Sequence, residues 1–274
     1  MSIIEIIGFI SAAIIGISLG LIGSGGSILT VPVMVYLLHI EPVLATAYSL
    51  FVVGVAAFVG GVNYARKKMV NYKTAFVFAI PAFIAVYFTR LVIVPSIPET
   101  LINMGDFILK KDMGILLLFA ILMVVAAYSM IKNGASQEKI DVTGDETKPV
   151  FNFPMIILEG MIVGVVTGLV GAGGGFLIIP ALVLFAKLPM KIAVGTSLFI
   201  ISIKSLIGFM GDVQADQPID WGFLLTFSTI AAIGIFFGSF LATKIDGKKL
   251  QKGFGWFVLA MGIYMIIKEL LLNG

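Results

Sequence analysis

The chain contains no cysteine and a single histidine, His39. The first absence excludes disulfides, iron–sulfur clusters and thiolate chemistry. The second argues against a histidine-based metal site. Charge is scarce as well: 12% of the 274 residues are charged, where a soluble domain carries about a quarter. No phosphate-cradling motif ending in Lys-Ser/Thr is present, which speaks against nucleotide-driven chemistry. No paired acids, nucleophile with base or ligand cluster lies in the apolar runs, so no catalytic residue, metal or cofactor is expected. The net charge of +3 gives no reason to expect nucleic acid. What fills the chain instead is apolar surface, 59% hydrophobic residues with a mean hydropathy of +1.12. This is the composition of an all-α, polytopic membrane protein with little mass outside the lipid bilayer.

In chain order, the first apolar segment runs from about Ser2 to Gly20. Its start lacks a basic region and a cleavage signature, so it reads as a span rather than a removed signal. A piece from Ile28 to Leu38 is too short to cross ~30 Å of hydrocarbon at ~1.5 Å per residue. Whether it crosses or re-enters is open. Segments follow at about Pro42–Asn63, Thr74–Val94 and Met113–Ile131, with a mixed-charge loop from Pro95 to Asp112. Residues 132–153 are polar and read as a linker between two halves, 1–131 and 154–274. The second half repeats the order: Pro154–Leu169, the short Phe176–Phe185, Met190–Met210, Trp221–Thr243 and Gly253–Leu272.

The repeat is written most clearly in glycine. Gly20-Leu21-Ile22-Gly23-Ser24-Gly25-Gly26-Ser27 returns 148 positions later as Gly168-Leu169-Val170-Gly171-Ala172-Gly173-Gly174-Gly175, each copy followed by a proline, Pro32 and Pro180. Ser49-Leu50-Phe51 returns as Ser197-Leu198-Phe199, and Tyr128 with Lys132 is echoed by Tyr264 with Lys268. Charge orients the halves. Arg66, Lys67, Lys68 and Lys73 hold one loop inside, whereas its counterpart, Gly211–Asp220, carries Asp212, Asp216 and Asp220 and no base. Matching loops on opposite sides predict two inverted repeats of about five hydrophobic segments each. The linker, Lys187, Lys191 and Lys244–Lys252 then fall inside, and both termini outside.

Glycine-interrupted short segments at matching places in inverted halves are the pattern of a secondary transporter. Unwound chain is tolerated at membrane depth only beside protein or a wet cavity. Each break is expected to open a new helix, at about Ser27-Ile28 and Gly175-Phe176, and helix starts present free N–H groups and partial positive charge. Brought together, Gly23, Ser24, Gly25, Gly26 and Ser27 with Gly171, Ala172, Gly173, Gly174 and Gly175 would form an anion site. The matched hydroxyls Ser49 and Ser197, with Thr196 beside the latter, are candidates to join it. Ordinary hydroxyl bonding between helices is the alternative.

Lys204 lies mid-segment, where a lysine costs roughly 2.5–3.5 kcal/mol without a partner or wet cavity. It is read as an anion ligand or a proton-coupling group, or structurally as half of a pair with an acid such as Glu159 or a side chain snorkelling to an interface. Arg90, nearer a segment end, is expected to pair or snorkel; Asn63 and Asp212 are expected to cap helices. Gly8, Gly16, Gly164, Gly234 and Gly238 are assigned to helix packing, and Trp221 to an interfacial anchor.

The doubled G-[LI]-[IV]-G-x-G-G stretch, each copy followed by an apolar run with proline, resembles the TauE/SafE family of sulfite-exporter-like permeases over nearly the whole chain. The resemblance implies a transporter in a bacterial or archaeal cytoplasmic membrane. Its partner would be a small sulfur-containing oxyanion such as sulfite or a sulfonate, moved by alternating access and coupled to protons or another ion. An anion channel and an intramembrane enzyme are the competing readings. Neither the anion, its direction of movement nor the oligomeric state follows from the residues.

Overall fold

A computed structural model describes residues 3–104, 107–133, 153–184, 186, 188–241 and 247–271. Most of the linker, Lys187, the stretch 242–246 and both extreme termini lie outside the described residues. The elements are α1 (Ile3–Ile22), a 3-10 turn (Gly23–Leu29), α2 (Thr30–Pro32) with a π-turn (Val33–Leu37), α3 (Pro42–Arg66) and α4 (Tyr72–Phe88). Next come a π-turn (Thr89–Ile93), α5 (Val94–Ser96), a hairpin of β1 (Thr100–Met104) and β2 (Phe107–Lys110), and α6 (Lys111–Asn133). The second half supplies α7 (Phe153–Val170), α8 (Gly175–Leu184), α9 (Met190–Gln214), α10 (Trp221–Leu241) and α11 (Gly247–Leu271). The mixed-charge loop expected at Pro95–Asp112 therefore holds a short antiparallel hairpin between the ends of α5 and α6, with Thr100 opposite Lys110 and Met104 opposite Phe107.

Helix is what an apolar run adopts where water cannot serve its backbone, because every N–H and C=O is then paired within the segment. Among the described residues five helices are long and apolar enough to cross a membrane: Pro42–Arg66, Tyr72–Ser96, Lys111–Lys132, Ile192–Gln214 and Trp221–Leu241. Isoleucines and phenylalanines such as Ile10, Ile14, Ile80, Ile84, Phe236 and Phe240 face outward, while Arg90, Lys204, Thr167 and Asp212 are buried. That distribution, apolar outside and polar inside, suits lipid as the solvent.

The two halves exchange partners. α1 packs on α10, and its equivalent α7 packs on α4. Gly16 sits against the Ala231 backbone and Gly20 against Ile235; in the other pair Gly164 sits against Ala82 and Gly168 against Thr89. Small residues let the backbones come this close, so dispersion contacts replace a missing hydrophobic drive. The long helices α3 and α6 pair with their own equivalents, α9 and α11, and run antiparallel to them. Gly54 of α3 meets Leu206 of α9, and farther along α3 Gly61 meets Phe199. Gly255 of α11 meets Met130 and Ile131 of α6, and Gly262 meets Met123 and Val124. Equivalent helices that run antiparallel are related by a two-fold axis across the bundle, so the halves are inverted.

Small details repeat with the halves. The α4 N-cap Asn71 accepts from the Thr74 amide at 3.0 Å, and Asp220 accepts from the Phe223 amide at 3.0 Å at the start of α10. Lys68 and Asp216, equivalent residues just past α3 and α9, both adopt positive φ, +56° and +53°. The exits of the short segments close with matching bonds, Ile40 N to Met34 O at 3.0 Å and Leu188 N to Leu182 O at 3.1 Å. The first short segment doubles back along α1, with Gly26 against Ser18 and Leu19 and Leu38 against Gly8. α3 and α9 form the middle of the bundle, with 67% of each span buried against 39% for the other three.

Candidate functional site

The second glycine-rich break lies between α7 and α8. Gly171, Gly173 and Gly174 have φ of +69°, +65° and +69°, a region that side chains disfavour. The chain there also runs hard against its neighbours. A Cβ at Gly171 would sit 2.5 Å from Thr46 Cα, one at Gly173 would sit 2.6 Å from Val53 Cγ1, and one at Gly174 would overlap Thr167. Gly171 to Gly173 thus crosses the face of α3 between Thr46 and Val53. Ser49 stands between those two by helical spacing. Its hydroxyl is buried with no hydrogen-bond partner among the described residues. Helix α8 then opens at Gly175, with the Leu177 and Ile178 amides turned onto the Gly174 carbonyl at 3.0 and 3.1 Å.

The first break is wound differently. Gly23 to Leu29 forms a 3-10 turn, and helix resumes at Thr30 rather than at Ser27-Ile28. The side chains of residues 22–25, Ser24 among them, lie outside the described residues. Ser27 is fully buried and donates from Oγ to the Ala172 carbonyl at 2.5 Å. The two breaks therefore touch. They do so at the level of Val53 and Lys204, near the midpoints of α3 and α9.

Two buried cations flank the second break. Lys204 is 0% exposed and donates from Nζ to Thr167 Oγ1 at 2.8 Å. Its Nζ lies 2.9 Å from where a Gly174 Cβ would be. Glu159 is not its partner, and no carboxylate among the described residues reaches it. Arg90, in the π-turn after α4, pairs with Asp212 of α9 through Nε at 2.8 Å. Its Nη1 reaches Thr46 Oγ1 at 3.0 Å and the Gly168 carbonyl at 3.2 Å. Arg90 thus pairs as its sequence suggested, while Asp212, expected as a cap, is instead the buried counter-charge. Thr167 and Gly168 are consecutive, so the last turn of α7 holds both cations.

The other hydroxyls have different employment. Thr196 Oγ1 accepts from the Asn71 amide at 3.0 Å, and its equivalent in the first half, Tyr48, accepts from the Asp220 amide at 2.7 Å. These matched bonds hold each half's fourth helix onto the other half's third. Ser197 donates to the Val194 carbonyl one turn back at 2.8 Å. Sequence reasoning missed Thr46, Thr167 and the Arg90–Asp212 pairing. The signal was an arginine inside one apolar run and an aspartate just past the end of another, which names two charges without joining them.

Gly26, Ser27 and Gly171–Gly175 are all buried, so the junction of the breaks is closed in this conformation. A cavity of about 640 Å³ lies elsewhere, between α4 and α7, lined by apolar residues including Ile80, Ile84, Phe88 and Met161.

The profile described as Sulfite exporter TauE/SafE matches residues 8–265. The chain belongs to the TauE/SafE family. It is 28% identical over 259 residues to a probable membrane transporter protein of Xylella fastidiosa, covering 93% of this chain and 92% of that one. A probable membrane transporter protein of Bacillus subtilis, YunE, is 26% identical over 277 residues, with 94% and 95% covered. One from Methanocaldococcus jannaschii is 38% identical over 118 residues, 41% of this chain and 44% of that one. No solved structure matches the chain. Family membership, the relatives and the apolar spans together support a multi-pass membrane transporter.

Proposed function

We propose that this TauE/SafE protein is a secondary transporter that moves a small sulfur-containing oxyanion, such as sulfite or a sulfonate, by alternating access. The observation that carries the reading is the meeting of the two glycine-rich breaks midway along antiparallel α3 and α9, with Lys204 beside Gly174. Glycine there lets an anion approach backbone amides closely. Lys204, buried without a counter-ion among the described residues, supplies the charge an anion would cancel. Ser27 and Ser49 add hydroxyls. Thr196 and Ser197, whose hydroxyls bond the backbone, act through packing.

The closed junction is the occluded state of the cycle. For a guest to enter from either side, the Ser27–Ala172 contact has to part. Inverted halves supply two ways of parting it, one toward each side. Coupling to a proton or ion gradient is part of the proposal. So is the topology in a bacterial or archaeal cytoplasmic membrane: repeats at 1–131 and 154–274, the linker and Arg66–Lys73 inside, and both termini outside.

The test is uptake and counterflow of sulfite, thiosulfate, ethanesulfonate and acetate in proteoliposomes under an imposed proton gradient. Saturable counterflow of at least one sulfur oxyanion is expected, and counterflow separates a carrier from a channel. Movement of none of them counts against the reading. Lys204→Met, which keeps the volume and removes the charge, is expected to raise KM about tenfold or more, since hydrogen bonds to charged groups contribute roughly 1.5–3 kcal/mol. An unchanged KM makes Lys204 a packing residue.

A further inference from the structure

Arg90 has five N–H groups to place. Nε takes Asp212, and Nη1 takes Thr46 Oγ1 and the Gly168 carbonyl, which uses three. The two on Nη2 have no partner among the described residues, although Arg90 is 0% exposed. Leaving buried donors of a charged group unpaired is costly, and such an atom in a folded protein calls for an explanation. The rest of the side chain is held firmly. Thr46 lies on α3 of Arg90's own half, whereas Gly168 and Asp212 come from α7 and α9 of the other. The guanidinium therefore bridges the halves at the break where Gly171 crosses Thr46.

Charge points the same way. Asp212 balances Arg90, so Arg90 brings direction rather than net charge, whereas Lys204 brings charge. Both are anchored on the same turn of α7, by consecutive residues. The repeat places Ser239 of the second half where the first has Arg90, and Ala56 and Tyr64 of the first half where the second has Lys204 and Asp212. Among the described residues the ionic chemistry is confined to one of the two breaks.

We propose that Arg90 is a second anion ligand, its free Nη2 donating to an oxygen of the transported oxyanion while Asp212, Thr46 and Gly168 hold the guanidinium in place. This rests on the anion-transport reading above and sharpens it. Lys204 selects negative charge, and Arg90 selects an anion that presents oxygens over a spherical halide. A donor fixed in direction meets an acceptor oxygen in a way that a freely rotating ammonium does not.

Arg90→Lys keeps the charge and removes the held Nη2 donor. In proteoliposomes it is expected to raise KM for the sulfur oxyanion that the wild type transports by at least tenfold. It should also reduce several-fold the preference for that anion over chloride in competition. A purely structural arginine predicts neither change, and a folded Arg90→Lys protein with wild-type KM and preference overturns the proposal. A second measurement does not depend on that variant. The chain has only two arginines, Arg66 and Arg90, and Arg66 is exposed. In Arg66→Lys protein, phenylglyoxal modification of Arg90 read by mass spectrometry should slow several-fold with the transported anion and not with chloride. Equal rates overturn it. If the wild type moves no anion at all, the transport reading fails first. If it moves one while Arg90→Lys is unaffected, only the present inference fails.

Discussion

The two glycine-rich turns descend from one pattern and do different work. The first, Gly23–Leu29, stays wound as a 3-10 turn and folds back on Ser18 and Leu19. The second uses three glycines at positive φ to cross α3 and is flanked by Lys204 and Arg90. Their surroundings explain the contrast. The first break has Ala56 where the second has Lys204, and Ser239 where it has Arg90. Duplication therefore supplied the frame, and later divergence placed the charge on one side of it. In the transport cycle proposed above, such a scaffold would bind its ligand in one orientation while opening toward either face.

That contrast can be broken most severely at the second turn. Gly171→Val combines a left-handed backbone, costing ~1–3 kcal/mol, with overpacking against Thr46, costing ~1–3 kcal/mol. Thermal unfolding in detergent is expected to show a loss of about 2–6 kcal/mol or no folded protein. Gly253→Ala, where a Cβ meets nothing within 4 Å, should be neutral or slightly stabilising, within about 1 kcal/mol. If Gly171→Val behaves like Gly253→Ala, the strained crossing is not real.

A smaller effect tests how far the frame is symmetric. Tyr48→Phe and Thr196→Val each remove the acceptor for the opposite half's helix-start amide. Each should cost about 1–3 kcal/mol, and the two should agree within about 1 kcal/mol by chemical denaturation. A cost at one site alone would say that only one exchange contact matters.

The smallest effect sharpens the meeting of the turns. Ser27→Ala removes the bond to Ala172, about 0.5–1.5 kcal/mol, a shift of up to about tenfold toward open states. With no native cysteine, a lone Ser49→Cys reports opening through its rate of maleimide labelling, expected to rise by that factor in the Ser27→Ala background. No change would mean that the contact does not help to keep the junction shut.

Much of this was legible in the residues. The offset of 148 positions, the opposed charge of the loops and the packing glycines Gly8, Gly16, Gly164, Gly234 and Gly238 were visible, because backbone shape and charge placement act locally. The partners of those glycines were not. Gly16 shows that something approaches closely, but Ala231, 215 positions away, is selected only by three-dimensional packing. The same limit hid the site's charges. Arg90 was expected to pair or snorkel and Asp212 to end a helix, and their meeting depends on α4 packing against α9. Thr196 was the opposite case: a hydroxyl in the right helix, spent on holding Asn71. The β1–β2 hairpin was read as a loop because its few residues carry no clear alternation.

The exchange of partners between halves also sets an order of events during synthesis. The glycine face of α1 is complete once Gly20 has emerged, yet Ile235, which it packs against, follows 215 residues later. At about 5–20 residues per second, the first helix waits roughly 10–40 seconds in lipid with its interlocking surface bare. α4, by contrast, receives α7 within about 80 residues of its own completion. α1 thus waits longest for its partner, and the nascent chain leans on the insertion machinery longest for that helix.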